Sequence, residues 1–309
     1  MNDIFRWLIL VAIILIMPPL VIGLIRKCKA RLQNRVGAKL VQPLLDMLKL
    51  MSKFETVSAS ASYILRGAAA GNAGVAIFLA LCVPWIPFGP RCMDADLFLV
   101  IYLFVLLRFF TIIAAIDTSS PFGGFGASRE IMLPVLVEPG VILCLASLGL
   151  LAHSSSLNVI FSFKNMVMFD QHGVWVLAGC GLYMASLIEL SRMPADDPTT
   201  HLELTMIHEA MILENSGPNL ALTEYAHALK LLILMGMSAQ CLIHGFAAVW
   251  NLDSPLRVLV WGVTLIGLLL LTAVIESSAV KLRWTKLPEF IAYAVTFGLL
   301  CSVFVLGGR

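Results

Sequence analysis

Charge is what this sequence has least of. Only 13% of its 309 residues are Asp, Glu, Lys or Arg, and 60% are hydrophobic, whereas soluble domains carry about 25% charged and about 45–50% apolar residues. The mean hydropathy is +0.93. A chain this apolar cannot hide its surface in a water-soluble core, because proteins folded in water leave much of their surface to polar groups. The bilayer is therefore its expected solvent. A net charge of only +2 argues against a nucleic-acid partner.

Ligand spacing is lacking as well. The seven cysteines (Cys28, Cys82, Cys92, Cys144, Cys180, Cys241, Cys301) are far apart, with no C-x-x-C or similar run. No iron–sulfur or zinc site is expected in this chain, and thiols inside apolar runs are expected to pack as small hydrophobes. Without a P-loop, ATP does not drive the chain directly. Residues 208–212 read HEAMI and lack the second histidine of H-E-x-x-H, which excludes that zinc-protease motif. GGFG at 123–126 lacks G-x-G-x-x-G spacing and reads as a loop needing close backbone approach. No internal or inverted repeat is visible, which disfavours a stand-alone transporter. The N-terminal run has neither a basic n-region nor an A-x-A site, so Phe5–Ile25 reads as a retained spanning helix rather than a signal peptide.

What is present is a series of apolar runs long enough to cross a bilayer. They lie at about 5–25, 71–89, 97–116, 131–152, 173–191, 226–249, 255–275 and 288–307. The expectation is an all-α membrane protein of eight transmembrane helices in a single domain. Its long polar connections, 26–70 and 192–225, follow the first and fifth helices. Lys and Arg concentrate in the first, third, fifth and seventh connections, from Arg26 and Lys27 through Arg129 and Arg192 to Lys281, Arg283 and Lys286. By the positive-inside rule these connections face the cytoplasm and both termini face the other side.

A charge at the bilayer centre costs roughly 2.5–3.5 kcal/mol on insertion scales, so each one needs a reason. Arg108 lies deep in the third span and Glu138 deep in the fourth, with Glu130 about 12 Å nearer its mouth. Pro134 and Pro139 bracket that stretch and free backbone carbonyls there. Glu189 and Arg192, three residues apart, can pair on one helical face. An acid-rich stretch follows, with Asp196, Asp197, Glu203, Glu209 and Glu214 beside His201 and His208, and then Glu224, His227 and Lys230 at three-residue spacing. Burial disfavours a charged carboxylate, so such a group can take up and release a proton near neutral pH. The file Glu130, Glu138, Glu189, Asp196, Glu203, Glu214, Glu224, His227 and Lys230 therefore reads as a proton path, with Arg108, Arg129 and Arg192 as charge partners. The plainer reading is a set of anchoring ion pairs: Arg108 with Glu138, and the helix-end groups among themselves.

Three segments in order, ARLQNRVGAKLVQPLLDMLKLMSK (30–53), IDTSSPFGGFGASREIMLPVLVEP (116–139) and IELSRMPADDPTTHLELTMIHEAMILENSG (188–217), carry a resemblance. They resemble the membrane subunit shared by respiratory complex I, its heel subunit, and the group 4 [NiFe]-hydrogenases. The DTxSPFxxxGASRE…LVEP wording is closer to the formate hydrogenlyase subunit 4 family. The resemblance covers nearly the whole chain. It implies a non-catalytic, proton-conducting anchor in the cytoplasmic membrane. An iron–sulfur small subunit and a [NiFe]-type large subunit would dock at its cytoplasmic face, and antiporter-like subunits would pack laterally. Arg31, Arg35, Asp46 and Lys49 would lie on the docking face. Iron–sulfur clusters, and nickel–iron where retained, would belong to the partners, and this chain would hold no cofactor. The carboxylates carried over are Glu138, Glu189, Asp196, Glu203, Glu214 and Glu224, with Arg129 and Arg192 beside them.

Departures fall on the loops. The family's R-x-G-P reads Arg35–Val36–Gly37–Ala38, its P-F-D reads Pro194–Ala195–Asp196, and the tyrosine of E-Y-S-G is Asn215. In complex I these loops line the quinone chamber, so the changes count against quinone binding. Two rival expectations remain: the heel subunit of a quinone-linked oxidoreductase, and a purely structural anchor.

Overall fold

The computed structural model describes residues 3–87, 94–162, 172–196, 207–246, 249 and 253–307. Its helices are α1 (Asp3–Leu32), α2 (Gln42–Met51), α3 (Tyr63–Cys82), α4 (Leu97–Asp117), α5 (Pro121–Ala152), α6 (Leu157–Ile160), α7 (His172–Glu189), α8 (His208–Ile212), α9 (Gly217–His244), α10 (Ser254–Ser278) and α11 (Leu287–Gly307). No strand forms among the described residues, apart from one isolated bridge between Asp96 and Ser156. Among the described residues seven helices, α1, α3, α4, α5, α9, α10 and α11, are long and apolar enough to cross a membrane. This is a multi-pass membrane protein. Helix α7 has 18 residues, is bounded by His172 and Glu189, and is mostly buried among α5, α9 and α11.

The bundle is organised around α9. Of its most apolar stretch 89% is buried, against 28–44% for the other six spans. Those six turn apolar faces outward, through residues such as Leu8 and Leu15 of α1, Leu259 and Val263 of α10, and Val303 and Phe304 of α11. Bare aliphatic surface of this kind is at home only against lipid or another membrane chain. Around α9 pack α1, α3, α7 and α10, while α5 lies against α7 and α11.

Local chemistry corrects two expected boundaries. The apolar run assigned to 71–89 is helical earlier, over Tyr63–Cys82. Ser62 caps this helix by accepting from the Ile64 amide at 3.1 Å, and Val83, just before Pro84, is already extended. Asp117, ending α4, accepts from the Ser62 amide at 2.8 Å and the Ser62 hydroxyl at 2.6 Å. The start of α3 is thereby tied to the end of α4.

The second correction concerns GGFG, which is not a loop but the opening turns of α5. That helix starts at Pro121 and runs 32 residues, about 48 Å and well beyond a hydrocarbon layer of about 30 Å. The expected close approach is nevertheless there. A Cβ on Gly126 would stand 2.9 Å from the Ile207 carbonyl oxygen and 3.0 Å from Met211 Cγ. This bare patch lets α8 lie directly on α5 and brings His208 to the bundle.

Candidate functional site

The intramembrane charges meet in one place. Arg108 of α4 donates through Nη1 to Glu138 Oε1 of α5 at 2.7 Å and through Nη2 to Glu189 Oε1 of α7 at 2.6 Å. Lys230 of α9 donates to the other Glu189 oxygen at 2.8 Å and to the Glu189 carbonyl at 3.0 Å. Four helices thus share an alternating chain, Glu138–Arg108–Glu189–Lys230. Arg108, Glu189 and Lys230 are buried, whereas the Glu138 side chain is 27% exposed at the bundle's edge. Buried charges survive only when each is matched and hydrogen-bonded, which explains why these ions form an unbroken series. Buried Glu130 accepts from the Ser191 hydroxyl at 2.9 Å.

A second group lies nearer the polar face. Arg192 donates to Glu276 of α10 at 2.7 Å, and Lys29 of α1 stands 3.5 Å from the other Glu276 oxygen. Asp196 accepts from the Ile207 amide at 2.9 Å and from Lys281. The expected Glu189–Arg192 pair does not form. Helix α7 stops at Glu189 and Ser191 takes a left-handed backbone, φ 46°, so Arg192 leaves the helical face that the three-residue spacing assumes.

Three cavities connect these groups. The largest, about 430 Å³, is walled by Arg26, Lys29, Arg35, Arg192, Asp196, Glu209, Glu224 and Glu276, with His208 and His227. A second, about 20 Å³, is lined by Asn72, Arg108, Thr111, Glu130, Glu189, Thr223 and Lys230, again with both histidines. The third, about 30 Å³, lies beside Arg108, Glu138 and Glu189 among apolar side chains. About 10–15 Å³ suffices for one water where polar partners converge, and the second cavity meets that condition. Three of the expected residues follow one another along α9. Glu224 faces the large cavity, His227 stands at the wall and Lys230 reaches the ion chain, six residues or about 9 Å deeper. His227 stacks on His208, with ring centroids 4.1 Å apart and planes at 28°. Burial, then the nearby cations Lys230 and Arg192, hold the His208 imidazole down to about 4.

Glu214 is exposed. The Arg129 guanidinium sits over the Trp284 ring, 5.8 Å from its centroid. Arg31, Asp46 and Lys49 are exposed on the polar face, where Asp46 accepts from Gln42 at 2.8 Å, and exposed Arg35 reaches the large cavity. Glu203, Asp197 and His201 lie outside the described residues. Sequence reasoning missed Glu276 as a site residue, although a lone acid closing an apolar span was a usable signal. It also missed Ser191, for which no signal existed. Among the described residues no cluster of three or more His, Cys, Asp or Glu could hold a metal ion.

Comparison with known proteins agrees with this architecture. The pattern of the family described as NADH dehydrogenase matches residues 5–306. Formate hydrogenlyase subunit 4 of Escherichia coli (strain K12) is 30% identical over 292 residues, covering 93% of this chain and 94% of that protein. Hydrogenase-4 component C of the same organism is 32% identical over 305 residues, covering 96% of this chain and 94% of that protein. In fold, the chain is similar to one in the solved membrane-bound sulfane sulfur reductase, an archaeal respiratory membrane complex. The TM-score is 0.80 at 18% identity, over 99% of this chain and 100% of that chain.

Proposed function

Because the chain belongs to the NADH dehydrogenase family, we propose that it is the membrane-embedded proton-coupling subunit of a multisubunit, hydrogenase-type redox complex. The observation that carries this reading is the unbroken Glu138–Arg108–Glu189–Lys230 chain, which starts beneath a water-sized cavity and finishes at a partly exposed carboxylate. The relatives named as formate hydrogenlyase and hydrogenase-4 subunits support the hydrogenase-type assignment. In this reading α7 crosses the membrane with the seven longer helices, the chain is a single domain, and both termini face away from the cytoplasm. The exposed basic connection around α2 and the mouth of the large cavity receive a docked iron–sulfur and [NiFe]-type pair. Antiporter-like subunits cover the edge where Glu138 is exposed.

The coupling is electrostatic. A change of charge on the docked partner alters the field at Arg192, Glu276 and Lys230, and each pKa unit so induced corresponds to about 1.4 kcal/mol. The carboxylates Glu130, Glu189 and Glu138 then exchange protons in sequence, while Arg108 and Lys230 hold the charge balance. A quinone-linked complex is the other oxidoreductase reading. The departures from the family's loop pattern at Ala38, Ala195 and Asn215 count against it. The test is Glu138→Gln in the intact complex, reconstituted in liposomes containing a pH-sensitive dye. Proton movement is expected to be lost while the complex still assembles. Proton movement at the unsubstituted rate would leave only an anchoring role.

A further inference from the structure

The charged network is reached from the polar face through a wall, and the composition of that wall is specific. Of the described residues, His208 and His227 line both the large cavity and the water-sized one behind it. The two cavities share no other lining residue. Likewise, the water-sized cavity shares with the third one, beside Glu138, only Arg108 and Glu189. The spaces are therefore strung in series, and the first partition is a pair of imidazoles held in contact at 4.1 Å.

From this arrangement we propose that the His208–His227 pair is the proton-transfer gate between the open cavity and the buried ion chain. The inference rests on the proton-coupling reading and goes beyond it by assigning the entry step. An imidazole suits a partition because one nitrogen can accept a proton on one side while the other releases one on the opposite side. The His208 ring is not placed to hold a proton for long. Burial, then Lys230 on the inner side and Arg192 on the cavity side, disfavour a charged ring, so His208 rests neutral near pH 7. Glu130 and Glu189 lie beyond, as the acceptors of a proton that passes, and Glu224 and Glu209 stand on the cavity side as donors. The step forms an N–H bond on a ring nitrogen facing the cavity and breaks the N–H on the other nitrogen. The proton passes to a carboxylate through the one water that the inner space admits. The ring finishes as the other neutral tautomer and must turn over or exchange protons before the next passage. Because the rings are stacked rather than linked edge to edge, the proton does not relay between them: His208 carries the crossing and His227 completes the wall.

The test uses the intact complex in liposomes, with reduced methyl viologen as electron donor. Viologen oxidation and the dye signal are recorded together. His208→Ala, opening directly onto a solvent-connected cavity, is expected to slow proton movement by about 100-fold. Added imidazole should restore it. Pyrazole, a ring of the same size but a far weaker base, should not. A simple packing role would be rescued equally by both rings, and that result overturns the gate, as does undiminished proton movement in both His208→Ala and His227→Ala. Glu138→Gln, measured in parallel, separates the two claims. If it blocks proton movement while neither histidine variant does, only the gate fails. If Glu138→Gln is silent, the coupling reading fails and the gate with it.

Discussion

Replacing Lys230 by Met removes one cation from the centre of the bundle while keeping a side chain of similar length. Lys230 is 7% exposed and donates to a Glu189 carboxylate oxygen at 2.8 Å and to the Glu189 carbonyl at 3.0 Å. Hydrogen bonds to charged groups are worth about 1.5–3 kcal/mol, and breaking a buried ion pair costs about 3–5 kcal/mol. Because Arg108 still holds the other Glu189 oxygen at 2.6 Å, the loss should fall at the lower end, about 3 kcal/mol. Glu189→Gln should cost a similar amount, since it leaves Arg108 and Lys230 facing an amide. The double variant removes one charge of each sign and leaves the Arg108–Glu138 pair intact. Its loss should be smaller than the sum of the singles by about 2 kcal/mol. Unfolding by SDS in mixed micelles measures all four proteins on one scale. If the two losses add within about 0.5 kcal/mol, the residues do not interact and the alternating chain is not the stabilising unit described above.

Two further outcomes follow from the geometry. His208 is held down to about 4 in the folded chain against 6.5 for a free imidazole. The unfolded state therefore binds its proton first, and folded stability should fall as pH drops from about 6.5 to about 4, by at most about 3 kcal/mol and less where cavity water screens the ring. His208→Gln should remove that part of the slope in unfolding curves taken across pH, and an unchanged slope refutes the assignment. Gly126→Val places branched carbon against the Ile207 carbonyl, Met211 and Ala210. It should cost about 1–3 kcal/mol and raise hydrogen exchange over 207–212 specifically, whereas unaltered exchange there would show that α8 does not need the bare glycine.

Arg108 and Glu138 could be singled out from sequence because a lone charge inside an apolar run has few explanations, and the structure pairs them. Lys230 and Glu189 were also visible as individuals, but not as partners. Their 41-residue separation is bridged only when α7 and α9 pack. The Glu189–Arg192 expectation used a helical spacing that the chain abandons at Ser191, and Glu276, the actual partner, lies 84 residues away. GGFG misled because glycine punctuates chains in water, whereas membrane helices tolerate it and use it for close packing. The proline-bounded end of α3 was readable from Pro84, but hydropathy alone counted the apolar residues beyond it. His208 stood out in the sequence only as one of two histidines in an acid-rich stretch. Its place in a wall depends on α8 folding back over Gly126.

The order of the ion chain along the sequence bears on how the protein enters the membrane. Arg108 is in α4 and Glu138 in α5, so the first charge of this set to enter the membrane is matched by the very next span, and the two can leave the insertion machinery as a pair. Glu189 then arrives with α7 and unbalances this four-residue set by one negative charge, until Lys230 of α9 restores neutrality. The most deeply enclosed helix is thus also the closing ion. Chains halted between α7 and α9 during synthesis would carry an unmatched carboxylate in the bilayer, a state for quality-control proteases to recognise and remove.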